Sequence, residues 1–370
     1  MSRKRLLLTL LKLAFGLLLL GWLYHAGRLD LAPLRRLADA PAFLAAGLVL
    51  MALVPLFSSL RWCVLVRAQG IDLSPLLALR LTLIAFFFNT FLPGATGGDL
   101  VKAWYIARQE EQKTAAVTTI LFDRLVGTVS MFGLAAVVLL IHLGEVRREP
   151  ELAALLGFAG GGMLLALATA AFFFSVRLRG FRERLLTRLA GPGAGAPAGL
   201  PSVASAKEGA AGESTAPRSW RGRLAGILQY ADAALHLYRG KPRAIAIGLL
   251  LSLTLQVCAV AAIYCYGRAL AGDAGAFGRY LFLVPLALVV NGVPLAPMGL
   301  GQGEAAFSFL FERFGPAALG PAARSVGGAL FFAFRLGMLL PGLAGFVCYV
   351  LHRVERRKAA PADGGGESAA

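Results

Sequence analysis

The chain has 370 residues, with 37 Lys+Arg against 20 Asp+Glu and a formal net charge of +17. Hydrophobic residues make up 58% and charged residues 15%, whereas a soluble domain carries about 25% charged and about 45–50% apolar residues. This excludes an ordinary soluble domain, and the chain is too apolar to be disordered. Its basic residues cluster at the ends of apolar runs, which points to a membrane rather than to nucleic acid.

A run of about 18 or more apolar residues crosses about 30 Å of hydrocarbon as a helix. The first such run, Leu6–Tyr24, follows Ser2-Arg3-Lys4-Arg5. Its length, and the lack of a small-residue cleavage site after it, predict a transmembrane helix rather than a signal peptide. Lys12 within it is expected to snorkel to the inner surface. The second span is Phe43–Leu60, with Arg61 and Arg67 read as marking its inner end. Leu81–Leu92 is about 18 Å long as a helix and runs into Pro93-Gly94 and Gly97-Gly98. Such a segment suits a re-entrant helix, whose irregular backbone at membrane depth is shielded by protein or water.

Two spans follow, Val117–Leu143 and Leu152–Val176. Residues 190–219 are rich in Ala, Gly, Pro and Ser and read as a disordered cytoplasmic linker. Residues 220–243 hold an amphipathic stretch with Leu224, Ile227, Leu228, Ala231, Leu235 and Tyr238 on one face. It is expected either to lie in the interface or to pack on the bundle. The fifth span is Ala244–Gly267. Tyr280–Val293, about 21 Å long, ends in Pro294, Pro297, Gly299, Gly301 and Gly303, a second re-entrant pattern. The sixth span is Ser325–Leu351, and residues 359–370 form a tail with no expected structure.

The expected fold is therefore all-α: a polytopic membrane helix bundle of about six full spans plus two re-entrant or broken helices in an inverted repeat. Its first half is residues 1–189, with a re-entrant element at 81–99. The second is 244–358, with a re-entrant element at 280–304. With both elements re-entrant, Arg3–Arg5, the loop 177–243 with its twelve Lys+Arg and four Asp+Glu, and Arg353 to Lys358 all fall on one side. By the positive-inside rule that side is cytoplasmic, and so are both termini.

The two glycine-rich breaks read as weak copies of each other, Asn89 to Asp99 and Asn291 to Glu304, each followed by a span with an intramembrane arginine. Asp99 and Glu304 have two readings, as caps of the following helices or as charge-bearing groups in a cavity between half-helix N-termini, which favour anions. Arg124, beside Asp123, and Arg335 cost about 2.5–3.5 kcal/mol each at the bilayer centre unless they meet water or a partner. They read either as structural pairs, Arg124 with Asp99 and Arg335 with Glu304, or as forks for a phosphate oxygen. Lys102 follows the first break as a further cation. Asn89 and Asn291 are expected to satisfy backbone groups freed at the helix breaks. Cys63, Cys258, Cys265 and Cys348 read as core or lipid-facing residues, and neither they nor the four histidines have metal-ligand spacing. No metal or other cofactor is expected.

The segments NTFLPGATGGDLVKAW, FDRLVG (Phe122–Gly127) and PLAPMGLGQGEAAF resemble the membrane domain of lysylphosphatidylglycerol synthases and its stand-alone, flippase-like relatives. The resemblance covers about residues 5–355. It implies a polytopic bacterial inner-membrane protein that moves a phospholipid or another lipid-linked anion between leaflets. It also implies site residues at Asn89, Pro93, Gly97, Gly98, Asp99, Gly299, Gly301 and Glu304. The chain stops about 20 residues after its last span, so no lysine transfer is expected of it. The expected partners are membrane lipids, an anionic phospholipid or a polyprenyl-linked phosphate, with envelope-biosynthesis proteins as further candidates. Two other readings stand beside a transporter: an integral-membrane transferase acting on a lipid-linked substrate, and a non-transporting scaffold of an envelope lipid pathway.

Overall fold

The computed structural model describes residues 35–91, 98–99, 101–103, 113–174, 240–272, 275–293 and 301–359, with Gly21, His25 and Tyr238. The expected first span, the linker 190–219, most of the amphipathic stretch 220–243 and the tail beyond 359 lie outside the described residues. So do Pro93, Gly97, Pro297 and Gly299.

All regular structure among the described residues is helical. In chain order the main helices are α1 (Pro41–Ala68), α2 (Pro75–Phe91), α3 (Lys113–Ile141), α4 (Pro150–Phe174), α5 (Pro242–Ala271), α6 (Phe277–Asn291), α7 (Gln302–Phe314) and α8 (Ala323–Ala359). Among the described residues five helices, α1, α3, α4, α5 and α8, are long and apolar enough to cross a membrane. They coincide with the second to sixth expected spans. The short apolar helices α2 and α6, of 17 and 15 residues, are the two expected broken elements.

α1 and α5 form the most extensive helix pair and run antiparallel. Arg36, just before α1, donates to the Leu270 carbonyl near the end of α5, and Arg268 lies over the Phe43 ring. At the other end Lys241 donates to the Ala68 carbonyl, and Gln69 donates to the Tyr238 hydroxyl. The pair therefore defines two opposite faces of the bundle.

The second broken element is a hairpin. Arg279, at the start of α6, donates to the Phe314 carbonyl at the end of α7, and Gly275 lies against Pro316. Its two legs thus leave from the same face, where Arg279 also pairs with Glu145, and Arg313 with Glu149. At its tip the Gln302 amide bridges the Val290, Asn291 and Val293 carbonyls. In the first element the chain beyond the break runs back beside α2. The Gly98 N–H donates to Asn89 Oδ1, and Lys102 Nζ lies 4.7 Å from the centre of the Trp62 ring, which packs on Ala78 and Leu81. Its base joins the Ala68 end of the α1–α5 pair, whereas the α6–α7 base joins the Ala271 end. The two elements enter the bundle from opposite faces.

Packing repeats this relation. α2 packs on α8, and α6 packs on α3; α2 packs on α1, and α6 on α5. The α2–α8 contact is close because Gly345 meets the Leu83 backbone where any Cβ would collide. Phe87 and Phe88 then stack around Phe346 and Tyr349. The main core lies between α5, α6, α7 and α8, filled by Tyr266, Tyr280, Phe282, Phe307, Phe311 and Phe331.

Candidate functional site

Asp123 and Arg124 sit 10 and 11 residues into α3, about 15 Å along the helix axis at 1.5 Å per residue. The helix itself starts at Lys113, four residues before the expected span. Adjacent helical residues diverge by about 100°, and the two side chains serve different partners. The Asp123 carboxylate takes a two-pronged ion pair from Arg61, with Nε to Oδ1 at 2.7 Å and Nη2 to Oδ2 at 3.1 Å. Arg61 Nη1 also donates to the Ser252 hydroxyl at 2.9 Å, tying α1, α3 and α5 together. Arg124 instead reaches Asp99 Oδ2, with both Nε and Nη2 at 2.7 Å.

The Arg61 geometry corrects the sequence reading. Arg61 is not an inner-surface marker. It lies inside α1, a helix that runs on to Ala68, and is buried. Only its carboxylate partner on α3 makes that burial tolerable. A Ser and an Asp more than sixty positions away gave no local sign of the contact, so only the three-helix packing reveals it.

Asp99 is also corrected in part. Gly98 and Asp99 are both already helical, so Asp99 does not cap the following helix, and its carboxylate goes to Arg124. Gly98 is required where it stands, because a Cβ would strike the Ala85 backbone. Lys102, one turn on, is 6% exposed. It lies within electrostatic reach of Asp123, Asp99, Arg61 and Arg124, yet forms no ion pair among the described residues. Among the described residues the cluster therefore holds three basic side chains, Arg61, Lys102 and Arg124, and two acids, Asp99 and Asp123.

The α6–α7 hairpin carries a related but drier arrangement. Glu304 is the third residue of α7, and its Oε2 accepts from the Gly301 N–H at 2.9 Å. Gly301 adopts φ +79°, which glycine reaches without strain. The capping reading of Glu304 thus holds, and so does the pairing one. Arg335, 12 residues into α8, donates through Nε to Oε1 at 3.0 Å and through Nη2 to Oε2 at 3.2 Å. Glu304 is 0% exposed, and Phe331 lies beneath the Arg335 guanidinium. Gly303 packs against Phe331 and Asn291, where a side chain would not fit. Asn89 accepts from the Gly98 N–H, as expected of a residue at a helix break, whereas Asn291 Oδ1 is buried with no hydrogen-bond partner among the described residues.

Tyr238, from the amphipathic stretch, belongs to the bundle. It stacks on Phe122 with ring centres 3.9 Å apart and donates to the Leu65 carbonyl at 2.8 Å. Burial, only partly offset by the Gln69 hydrogen bond, pushes its phenol well above the usual range. The structure thus brings together Asn89, Gly98, Asp99, Lys102, Asp123 and Arg124 at one break, and Asn291, Gly301, Glu304 and Arg335 at the other.

The family model described as lysylphosphatidylglycerol synthase TM region matches residues 9–345. No curated protein and no solved structure matches the chain.

Proposed function

Because the chain belongs to the lysylphosphatidylglycerol synthase TM-region family, a multi-pass membrane protein related to lipid biosynthesis or flipping, we propose that it translocates an anionic lipid between leaflets of the bacterial inner membrane. In this reading both termini are cytoplasmic, and the protein is a transporter rather than an enzyme. The substrate is a phospholipid or a polyprenyl-linked phosphate.

The observation that carries the reading is Lys102. A buried lysine that forms no ion pair among the described residues leaves the cluster there with one more basic group than acids, an arrangement that favours an arriving anion. An arriving phosphate oxygen is matched by the Arg124 fork, and Arg124 is released from Asp99 in the exchange. The ion pair is thus both the resting structure and the contact that substrate replaces. The Glu304–Arg335 pair supplies the corresponding exchange on the side from which the other hairpin enters. Opposed hairpins with matched sites near mid-depth suit alternating access.

The test is reconstitution of the full chain in liposomes with headgroup-labelled anionic lipids, followed by bleaching of the outer leaflet. Transbilayer movement above that of protein-free vesicles is expected, together with its loss in Lys102→Ala and Arg124→Ala. Movement equal to empty vesicles for every headgroup tried would overturn the reading. Formation of a new lipid from labelled donor by the purified protein would favour a transferase instead.

A further inference from the structure

We propose that the outward face of α8 is the docking surface for the first apolar run of the chain, Leu6–Tyr24, which lies outside the described residues. The face is a seam. Leu336, Leu340, Leu343, Val347 and Val350 are spaced by four, three, four and three residues, and each is between 41% and 55% exposed. That spacing sets them in one stripe, the pattern of a helix that packs along another helix. Other sides of α8 are already taken, since Gly337 lies against Tyr266 and Gly345 against the Leu83 backbone.

The inverted repeat names the occupant. α1 and α5 pair with each other, and α2 packs on α8 as α6 packs on α3. Arg124 of α3 and Arg335 of α8 each bind the acid that follows a break. Setting Arg124 on Arg335 sets Phe132 on Leu343 and Gly133 on Ala344, eight and nine residues further along. On α3 these positions are half-buried under α4, where Phe132 meets Gly162 and Phe158, and Gly133 meets Met163. On α8 both positions are exposed. α4 directly precedes α5, yet among the described residues it has no counterpart; the apolar run that precedes α1 is Leu6–Tyr24. The connection permits the match. Gly21 and His25 are helical, and Arg36 is held at the Leu270 carbonyl, on the face where α8 begins beyond the base of the α6–α7 hairpin. Residues 26–35 can bridge up to about 33 Å when extended. The run then lies antiparallel to α8, as α4 does to α3 across the turn His142–Glu149. The repeat divides at that turn, into 6–141 and 150–351, rather than at residue 189 as the sequence suggested.

The test is photocrosslinking in membranes that hold the full chain, with p-benzoylphenylalanine in place of Leu343 or, one turn earlier, of Leu340. Both side chains are exposed, so the probe does not disturb the core. The same probe in place of Phe132 sets the reference yield through its contact with α4. Adducts from the α8 probes are expected on the tryptic peptide Leu13–Arg28 of the same chain, at monomer mobility and in yield comparable with the reference. They are expected to be lost when the probe replaces Leu250 on α5, which is 63% exposed. Failure of both α8 probes to trap that peptide, with adducts falling on lipid, on a second copy at dimer mobility or on another segment, would overturn the docking, as would capture of the peptide from Leu250 in their place. The readout is contact rather than lipid movement, so the docking stands or falls apart from the translocation reading.

Discussion

The two hairpins carry the same elements, a glycine, an acid and an arginine on the next span, yet they treat the ion pair oppositely. Arg124 is 53% exposed along its side chain, and its Nε and Nη2 both crowd one oxygen of Asp99. Arg335 grips both oxygens of a carboxylate that is wholly enclosed and already caps its own helix. The same pattern thus yields one accessible pair and one sealed pair. Exposed ion pairs contribute little to stability, whereas breaking a buried pair leaves an uncompensated charge in a medium that cannot solvate it. The difference teaches that the first hairpin presents its ion pair and the second withholds it.

The comparison can be broken most directly at Glu304. Glu304→Ala strands Arg335 and is expected to destabilise the protein by about 3–5 kcal/mol, read as a fall in the thermal unfolding midpoint in detergent. Asp99→Ala should cost less than ~1 kcal/mol in the same assay while abolishing lipid movement. Equal losses of stability in the two variants would remove the distinction between the hairpins. Gly98→Ala comes next. Its Cβ pushes the returning chain off Ala85, at about 1–3 kcal/mol, and lipid movement should fall with it. Ser252→Ala removes one hydrogen bond from Arg61, at about 1 kcal/mol, and sharpens the view that the Arg61–Asp123 pair is a structural pivot rather than part of the exchange. The smallest effect is ionic. Salt should weaken the Asp99–Arg124 coupling energy in a double-mutant cycle and leave Glu304–Arg335 nearly unchanged, since enclosed charges are screened least.

The spans were legible because hydropathy is a local property. Phe43–Leu60 and Ser325–Leu351 needed no partner to be recognised, and each helix simply extends beyond its apolar run. The Asp99–Arg124 and Glu304–Arg335 pairings were legible as one of two alternatives, because an arginine within an apolar span has very few acids to pair with. Arg61 was not legible. A basic residue near the end of an apolar run looks like a surface anchor, and only the arrival of Asp123 and Ser252 from two other helices makes it an interior group. Tyr238 was half legible: its amphipathic face was visible, but its place against Phe122 and Leu65 was one of two open options.

By itself the amino-acid order determined which segments are apolar enough to leave water, where glycine and proline interrupt them, and which charges have to find company at depth. Each of these follows from the transfer free energy or backbone freedom of a few adjacent residues. Tertiary structure decided which company each charge keeps. Asp123 and Arg124 are neighbours in the chain but point about 100° apart, so helix packing alone assigns one to Arg61 and the other to Asp99. It also decided that one acid is sealed and its counterpart is not, because enclosure depends on the aromatic side chains that other helices bring to the site.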